Sequence, residues 1–165
     1  VIIEPKVFGD DRGFFLETFH TARYKQLAGI NMPFVQDNHS RSLKGVLRGL
    51  HFQKTKPQGK LVRVVQGQVF DVAVDLRKNS RTYGKWHSEI LSEKNHKIFF
   101  IPKGFAHGFM TLEKNSEVLY FVSQFYNWEK ECGTMYNDPI LKIKWPAKPS
   151  SISKKDLSWK LMKKI

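Results

Sequence analysis

The stretch "VLRGLHFQ", residues 46 to 53, places a guanidinium and an imidazole three residues apart around a glycine. Arg48 offers a planar fork of donors that suits paired anionic oxygens. His51 offers an imidazole, the side-chain type whose reference value of about 6.5 lets it take a proton near pH 7. On a regular strand, residues three apart point to opposite faces. The two can serve one cavity only if Gly49 hosts a bulge, and a bulged strand is therefore expected here. A core histidine and a surface arginine are the plain alternative.

Other polar side chains interrupt apolar strand faces in the same way. "KLVRVV" sets Lys60 beside Val62 and Val64, and "VFDVAVD" sets Asp71 beside Val69 and Ala73. "EVLYFVSQFY" sets Val118, Tyr120, Val122, Gln124 and Tyr126 on one face. Isolated polar groups on an inward face are costly unless paired. Apolar walls with a few converging polar groups are how ligand cavities are lined.

The elements that must hold these residues are mostly strands. Residues 1 to 8 alternate up to the turn "GDDRG", and "FFLETF" follows as a strand. "TARYKQLAG" predicts a short helix capped by Thr21 and ended by Gly29. "FVQDNHSRS" reads as a polar strand or loop. "KLVRVVQGQVFDVAVDLR" reads as two strands in a hairpin through Gly67. Further strands are expected in "KWHSEILS", on both sides of the break in "IFFIPKGFAHGFMTLE", and in "EVLYFVSQFY". Beyond Trp145, two prolines precede a charged tail expected to form at most a weak helix. Many short strands joined by Gly and Pro turns predict an all-β sandwich or barrel, with one domain across residues 1–165.

The net charge of +13 points to an anionic partner, although scattered lysines also serve solvation. No helix-turn-helix, zinc-finger or RNA-binding signature is present, so nucleic acid is not expected. No H-x-H spacing occurs, so no metal is expected despite six histidines. Cys132 is the single cysteine, which excludes an internal disulfide and suggests a reducing, cytoplasmic setting. No apolar run of spanning length and no signal peptide are visible, so no membrane partner is expected.

"EPKVFGDDRGFFLETF", "FVQDNHSRSLKGVLRGLHFQ", "QGKLVRVVQGQVFDVAVDLRKNSRTYGKW" and "IPKGFAHGFMTL" closely resemble the dTDP-4-dehydrorhamnose 3,5-epimerase family. "LYFVSQFY" and "NDPILKIKWP" extend the likeness to about residues 2–156. The resemblance implies a cupin-like jelly roll, metal-free and without cofactor, acting as a homodimer. It implies epimerisation of a nucleotide-diphosphate-linked 4-keto-6-deoxy sugar at C3, C5 or both.

The resemblance also implies roles. His51 matches the base, and Asp156 in "SKKD" matches its carboxylate partner, with Asp71 and Asp138 as fallbacks. The tail departs from the family in lacking an Ala-Pro shortly after that aspartate. Lys60 matches the residue beside the keto oxygen, and Tyr120 the acid that delivers the proton at C5 from the opposite face of the sugar. His107 in "GFAHGF" matches an orienting histidine. Arg48 and Arg12 match positions near the diphosphate. Gln36 and Asn38 match nucleotide contacts, with Tyr126 stacking on the base. Phe15 and Glu17 match positions near the base, contributed across a dimer. The base (thymine, guanine or cytosine) stays open. A 3,4-ketoisomerase on the same scaffold, or a binding module without catalysis, are the competing readings.

Overall fold

The computed structural model describes residues 1–162. Thirteen strands and one helix follow in order: β1 (Ile2–Ile3), β2 (Val7–Asp10), β3 (Gly13–Leu16), α1 (Thr21–Ala28), β4 (Gln36–Ser42), β5 (Val46–Gln53) and β6 (Lys60–Gln66). Then come β7 (Gln68–Asp75), β8 (Trp86–Ser92), β9 (Ile98–Ile101), β10 (Phe105–Thr111), β11 (Ser116–Val122), β12 (Glu131–Gly133) and β13 (Ser151–Ile152).

One sheet has the order β1-β9-β6-β11-β4, and the facing sheet β12-β5-β10-β7-β8, with β13 added in parallel beside β5. From β4 onward nearly every connection crosses between the sheets. This is a cupin-like jelly roll, the all-β fold that the sequence predicts. Between the layers, Val62, Val64 and Val118 of one sheet meet Val69, Ala73 and Phe109 of the other. The period-2 pattern of β6, β7 and β11 sends the valines and Ala73 inward, and Phe109 joins them from β10.

The crossing connections correct one expectation. β6 and β7 do not form a hairpin: β6 pairs with β9 and β11, while β7 pairs with β8 and β10. Each strand has an inner face to bury, and placing the two in opposite layers buries both faces against each other.

Two covers close the outer faces. Helix α1 lays Tyr24 on Leu61, Ile98 and Phe100, beside Phe19, Phe34 and Phe121. Its N-cap is His20 rather than Thr21, because the His20 ring nitrogen accepts from the Arg23 amide. Gly29 ends it in the left-handed region, as expected.

The second sheet is covered by the C-terminal segment. Leu141, Ile143, Trp145 and Met162 pack on Leu50, Val72, Val74 and Ala106. Burying such a side chain contributes about 1.5–3 kcal/mol. The tail forms β13 and a 3-10 turn at Asp156–Ser158 instead of the expected weak helix. Docking to the sheet decides its path, and residues 163–165 of the tail lie outside the described residues. No described helix is long and apolar enough to cross a membrane.

Candidate active site

β5 carries the bulge that its sequence required. His51 stands opposite His107 in β10, and Arg48 stands opposite Phe109, so three steps along β5 match two along β10. Gly49 absorbs the extra residue at φ +117°, a conformation costly for a side-chain-bearing residue. A Cβ at Gly49 would also meet Gly108 Cα at 2.5 Å. Arg48 and His51 therefore both line a cavity of about 830 Å³ between the sheets.

His51 shares a 2.5 Å hydrogen bond with Asp156, between Nε2 and Oδ1. The Gly49 amide donates to the other carboxylate oxygen at 3.3 Å. Asp156 is buried by the 3-10 turn that lays it on β5. Burial alone would raise its pKa, but the hydrogen bond and charge of His51 hold it below the usual carboxylate range. With Nε2 directed at Asp156, Nδ1 is the nitrogen left to take a substrate proton. A carboxylate in this position stabilises the imidazolium that results.

Lys60, at the start of β6, lines the same cavity and is buried. Burial lowers its pKa to about 8, against the opposing pull of Glu131 and Asp71. It is thus a cation at pH 7, able to meet a developing oxyanion in a place where charge is poorly screened. Tyr120 in β11 also lines the cavity. Burial raises its pKa, with Arg48 opposing, so the phenol keeps its proton and can donate it.

His107 is buried behind these groups and meets both oxygens of Asp71 from Nε2 at 2.9 Å. Burial holds its pKa below the ordinary value, with Asp71 opposing, so the ring is neutral and donates to that carboxylate. Asp71 is therefore engaged away from His51. Asp138 is engaged too, accepting from the amides of Ile140, Leu141 and Met162.

At the cavity's outer end, Arg48 Nε donates to Ser42 Oγ at 3.0 Å, and among the described residues the rest of its fork has no hydrogen-bond partner. Gln36 donates to Asn38 at 2.8 Å and accepts from the Tyr126 amide, which joins β4 to the loop after β11. All of these side chains line the cavity.

Three site candidates from the sequence do not. Arg12 sits on the β2–β3 hairpin, exposed and paired with Asp10 at 2.6 Å. Phe15 is 69% exposed beside Phe8, and Glu17 pairs with Arg23.

The family model described as dTDP-4-dehydrorhamnose 3,5-epimerase matches residues 1–164. The chain belongs to this family. It is 52% identical over 163 residues to the dTDP-4-dehydrorhamnose 3,5-epimerase of Methanothermobacter thermautotrophicus, covering 97% of this chain and 88% of that relative. The fold matches the crystal structure of the Legionella pneumophila dTDP-6-deoxy-D-glucose-3,5-epimerase in complex with dTDP-4-keto-L-rhamnose. That match has a TM-score of 0.94 at 53% identity and covers 97% of this chain and 86% of that one. The Bacillus anthracis dTDP-4-dehydrorhamnose 3,5-epimerase with TDP and PPi bound matches at a TM-score of 0.95 and 46% identity, over 98% and 93% of the two chains.

In this member of the epimerase family the structure adds two site residues that the sequence did not reveal. Glu131 accepts from Tyr126 at 2.7 Å and from Lys155 at 2.6 Å, and stands 3.7 Å from His51 Nδ1. Burial alone would raise its pKa, but the bonds from Lys155 and Tyr126 and the facing His51 bring it below the ordinary value. "NWEKEC" reads as a polar loop; only the pairing of β12 with β5 turns Glu131 into the cavity. Lys155 could have been found only as the neighbour of Asp156. Among the described residues, no group of three His, Cys, Asp or Glu side chains has the arrangement to hold a metal ion.

Proposed function

We propose that this chain is an isomerase that inverts C3 and C5 of dTDP-4-dehydro-6-deoxyglucose. The observation that carries the reading is the His51–Asp156 pair opening into the same cavity as Tyr120 and Lys60. A hydrogen on a carbon beside a ketone is acidic because the anion delocalises onto the carbonyl oxygen. His51 removes that proton through Nδ1, and the resulting imidazolium is stabilised by Asp156. Lys60 faces the oxygen where enolate charge collects; removing one such donor typically costs about 2.7–4 kcal/mol. At C5, Tyr120 returns a proton from the other face of the ring, which inverts that centre; at C3 the returning proton comes from solvent. Between the two steps His51 releases its proton to solvent, and the phenol is reprotonated from it. These four groups, exchanging protons with solvent, supply every proton and charge step, so the reaction as written calls for no cofactor.

The remaining residues hold the nucleotide. Arg48 takes the diphosphate, its orientation fixed by Ser42. Gln36, Asn38 and Tyr126 contact the nucleotide, and binding there orients the sugar. Arg12 and Phe15 stand on the β2–β3 hairpin and Glu17 just beyond it, and none of the three lines the chain's own cavity. In this reading the enzyme is a homodimer, and each hairpin completes the nucleotide end of its partner's cavity. A cytoplasmic setting follows from the nucleotide-linked substrate and the single cysteine.

The test is incubation of the protein with dTDP-4-keto-6-deoxyglucose in heavy water, followed by NMR. Deuterium at both C3 and C5 is expected. Label at one carbon indicates a single-site epimerase. An oxygen shift between C4 and C3 indicates a ketoisomerase, and no label overturns catalysis in favour of a binding module.

A further inference from the structure

His51 is approached from three sides, and the approach from the C-terminal segment beyond Asp156 has no part in the chemistry above. Asp156 holds Nε2, Glu131 faces Nδ1, and the indole of Trp159 lies edge-on to the imidazole. The ring centroids are 6.2 Å apart and the planes are inclined by 71°.

The backbone explains how the indole reaches this place. Trp159 directly follows the turn Asp156–Ser158 and leaves it extended, at φ −65° and ψ 145°. Asp156 and Trp159, three residues apart, thus close on the same imidazole from different directions. The floor beneath the indole is Gly133, which stands opposite His51 in the β12–β5 ladder. A Cβ at Gly133 would lie 2.5 Å from Cδ2, Cε2 and Nε1 of the indole, so only glycine leaves the slot open.

The indole N–H is buried and has no acceptor among the described residues. An unpaired buried donor is costly. The flat bulk of the side chain, and not its hydrogen bond, is therefore what this position uses.

We propose that Trp159 is a positioning residue for the epimerisation: its ring walls the His51–Asp156 pair from water and fixes the plane of the imidazole. The inference rests on the reading of His51 as the base. Water admitted beside the pair would compete for the Asp156 oxygens and weaken their attraction for the imidazolium. A ring free to tilt would also lose its aim at the reacting carbon, and misplacement by about 1 Å can cost on the order of 100-fold in rate.

The test compares wild type with Trp159→Ala, Trp159→Leu and Trp159→Phe. Heavy-water exchange kinetics are measured with dTDP-4-keto-6-deoxyglucose, and water exchange of the His51 imidazole N–H proton is followed by NMR in the same proteins. Trp159→Ala should lower kcat about tenfold with KM within about twofold, the split expected when orientation is lost but binding is kept. Its imidazole N–H should exchange with water at least about tenfold faster than in wild type, as expected of a site opened to solvent. Trp159→Phe keeps a flat wall without the unpaired donor and should restore both readouts. If the alanine variant does not fold, the leucine variant carries the same comparison, since it keeps bulk but not the plane.

Wild-type kcat and N–H protection in the alanine or leucine variant would overturn the proposal. So would a phenylalanine variant as impaired as alanine, because the wall would then not be the cause. A wild-type protein that places no deuterium in the sugar would instead overturn the reading of His51 as base, whatever the N–H protection shows.

Discussion

The β5–β10 region and the β2–β3 hairpin contribute to the same proposed site but are built in opposite ways. His51, Lys60 and His107 lie on strands paired on both sides, and each is tied to, or faces, a carboxylate placed by the fold. Among the described residues the hairpin of β2 and β3 pairs only with itself, and every residue of it is exposed except half-buried Leu16. Proton transfer needs atoms held to within a fraction of an ångström, which buried, braced strands supply. Recognition of a nucleotide tolerates an arm that completes its surroundings only on assembly. Changes in the first region should therefore strike kcat, and changes in the second KM.

Asp156→Asn offers the largest expected break. The volume is unchanged, but the imidazolium loses its counter-charge, and an analogous exchange in a catalytic triad lowers kcat by about 10⁴. A loss between about 10² and 10⁴ is expected in the exchange assay, by that analogy. A loss below tenfold would remove Asp156 from the chemistry.

Lys60→Met should lower kcat by about 10²–10³, the range for removing one donor from an oxyanion site. Stability should move the other way. The folded-state pKa of about 8 lies below the ordinary lysine value, so the folded state disfavours the charge. The unfolded chain then binds more protons between about pH 8 and 10.5, and this group makes stability rise with pH across that window. Removing the buried charge should raise the melting temperature at pH 7. In wild type, kcat should fall as pH rises through about 8 and the cation is lost. A melting temperature lowered by the substitution would show Lys60 to be a structural cation.

Tyr120→Phe sharpens the comparison within the buried region. Exchange at C3 should remain while net inversion at C5 falls, by about 10²-fold if the phenol is the acid. Equal losses at the two carbons would make the tyrosine a packing residue. Phe15→Ala tests the hairpin and should have the smallest effect on the chemistry. KM should rise about 5- to 100-fold if the ring meets the base across the dimer, the range for losing one aromatic–base contact, with kcat nearly unchanged. A kcat loss as large as that of a buried residue would contradict the division between the two regions.

The strands were legible because a period of two survives in "KLVRVV" and "VFDVAVD", where inward residues are apolar apart from Lys60 and Asp71. The bulge was legible because Arg48 and His51 share a strand with the wrong spacing for one face. The layer crossing at Gly67 was not, since a glycine between two strands looks the same whether the chain turns back or changes sheet. Asp156 was reached through family resemblance alone. Nothing in a lysine-rich tail signals that its aspartate is buried, because the burial comes from β13 and the turn docking on β5. Glu131 was hidden for a related reason: a three-residue strand in a polar loop has no periodicity to read.

The central claim is that His51 is the base for both carbons, and the most direct measurement is heavy-water exchange in His51→Ala, followed at C3 and C5 alongside calorimetric binding of dTDP. The account predicts no label at either carbon and a dTDP affinity close to that of the unsubstituted protein. Deuterium entering either position at the unsubstituted rate would contradict it.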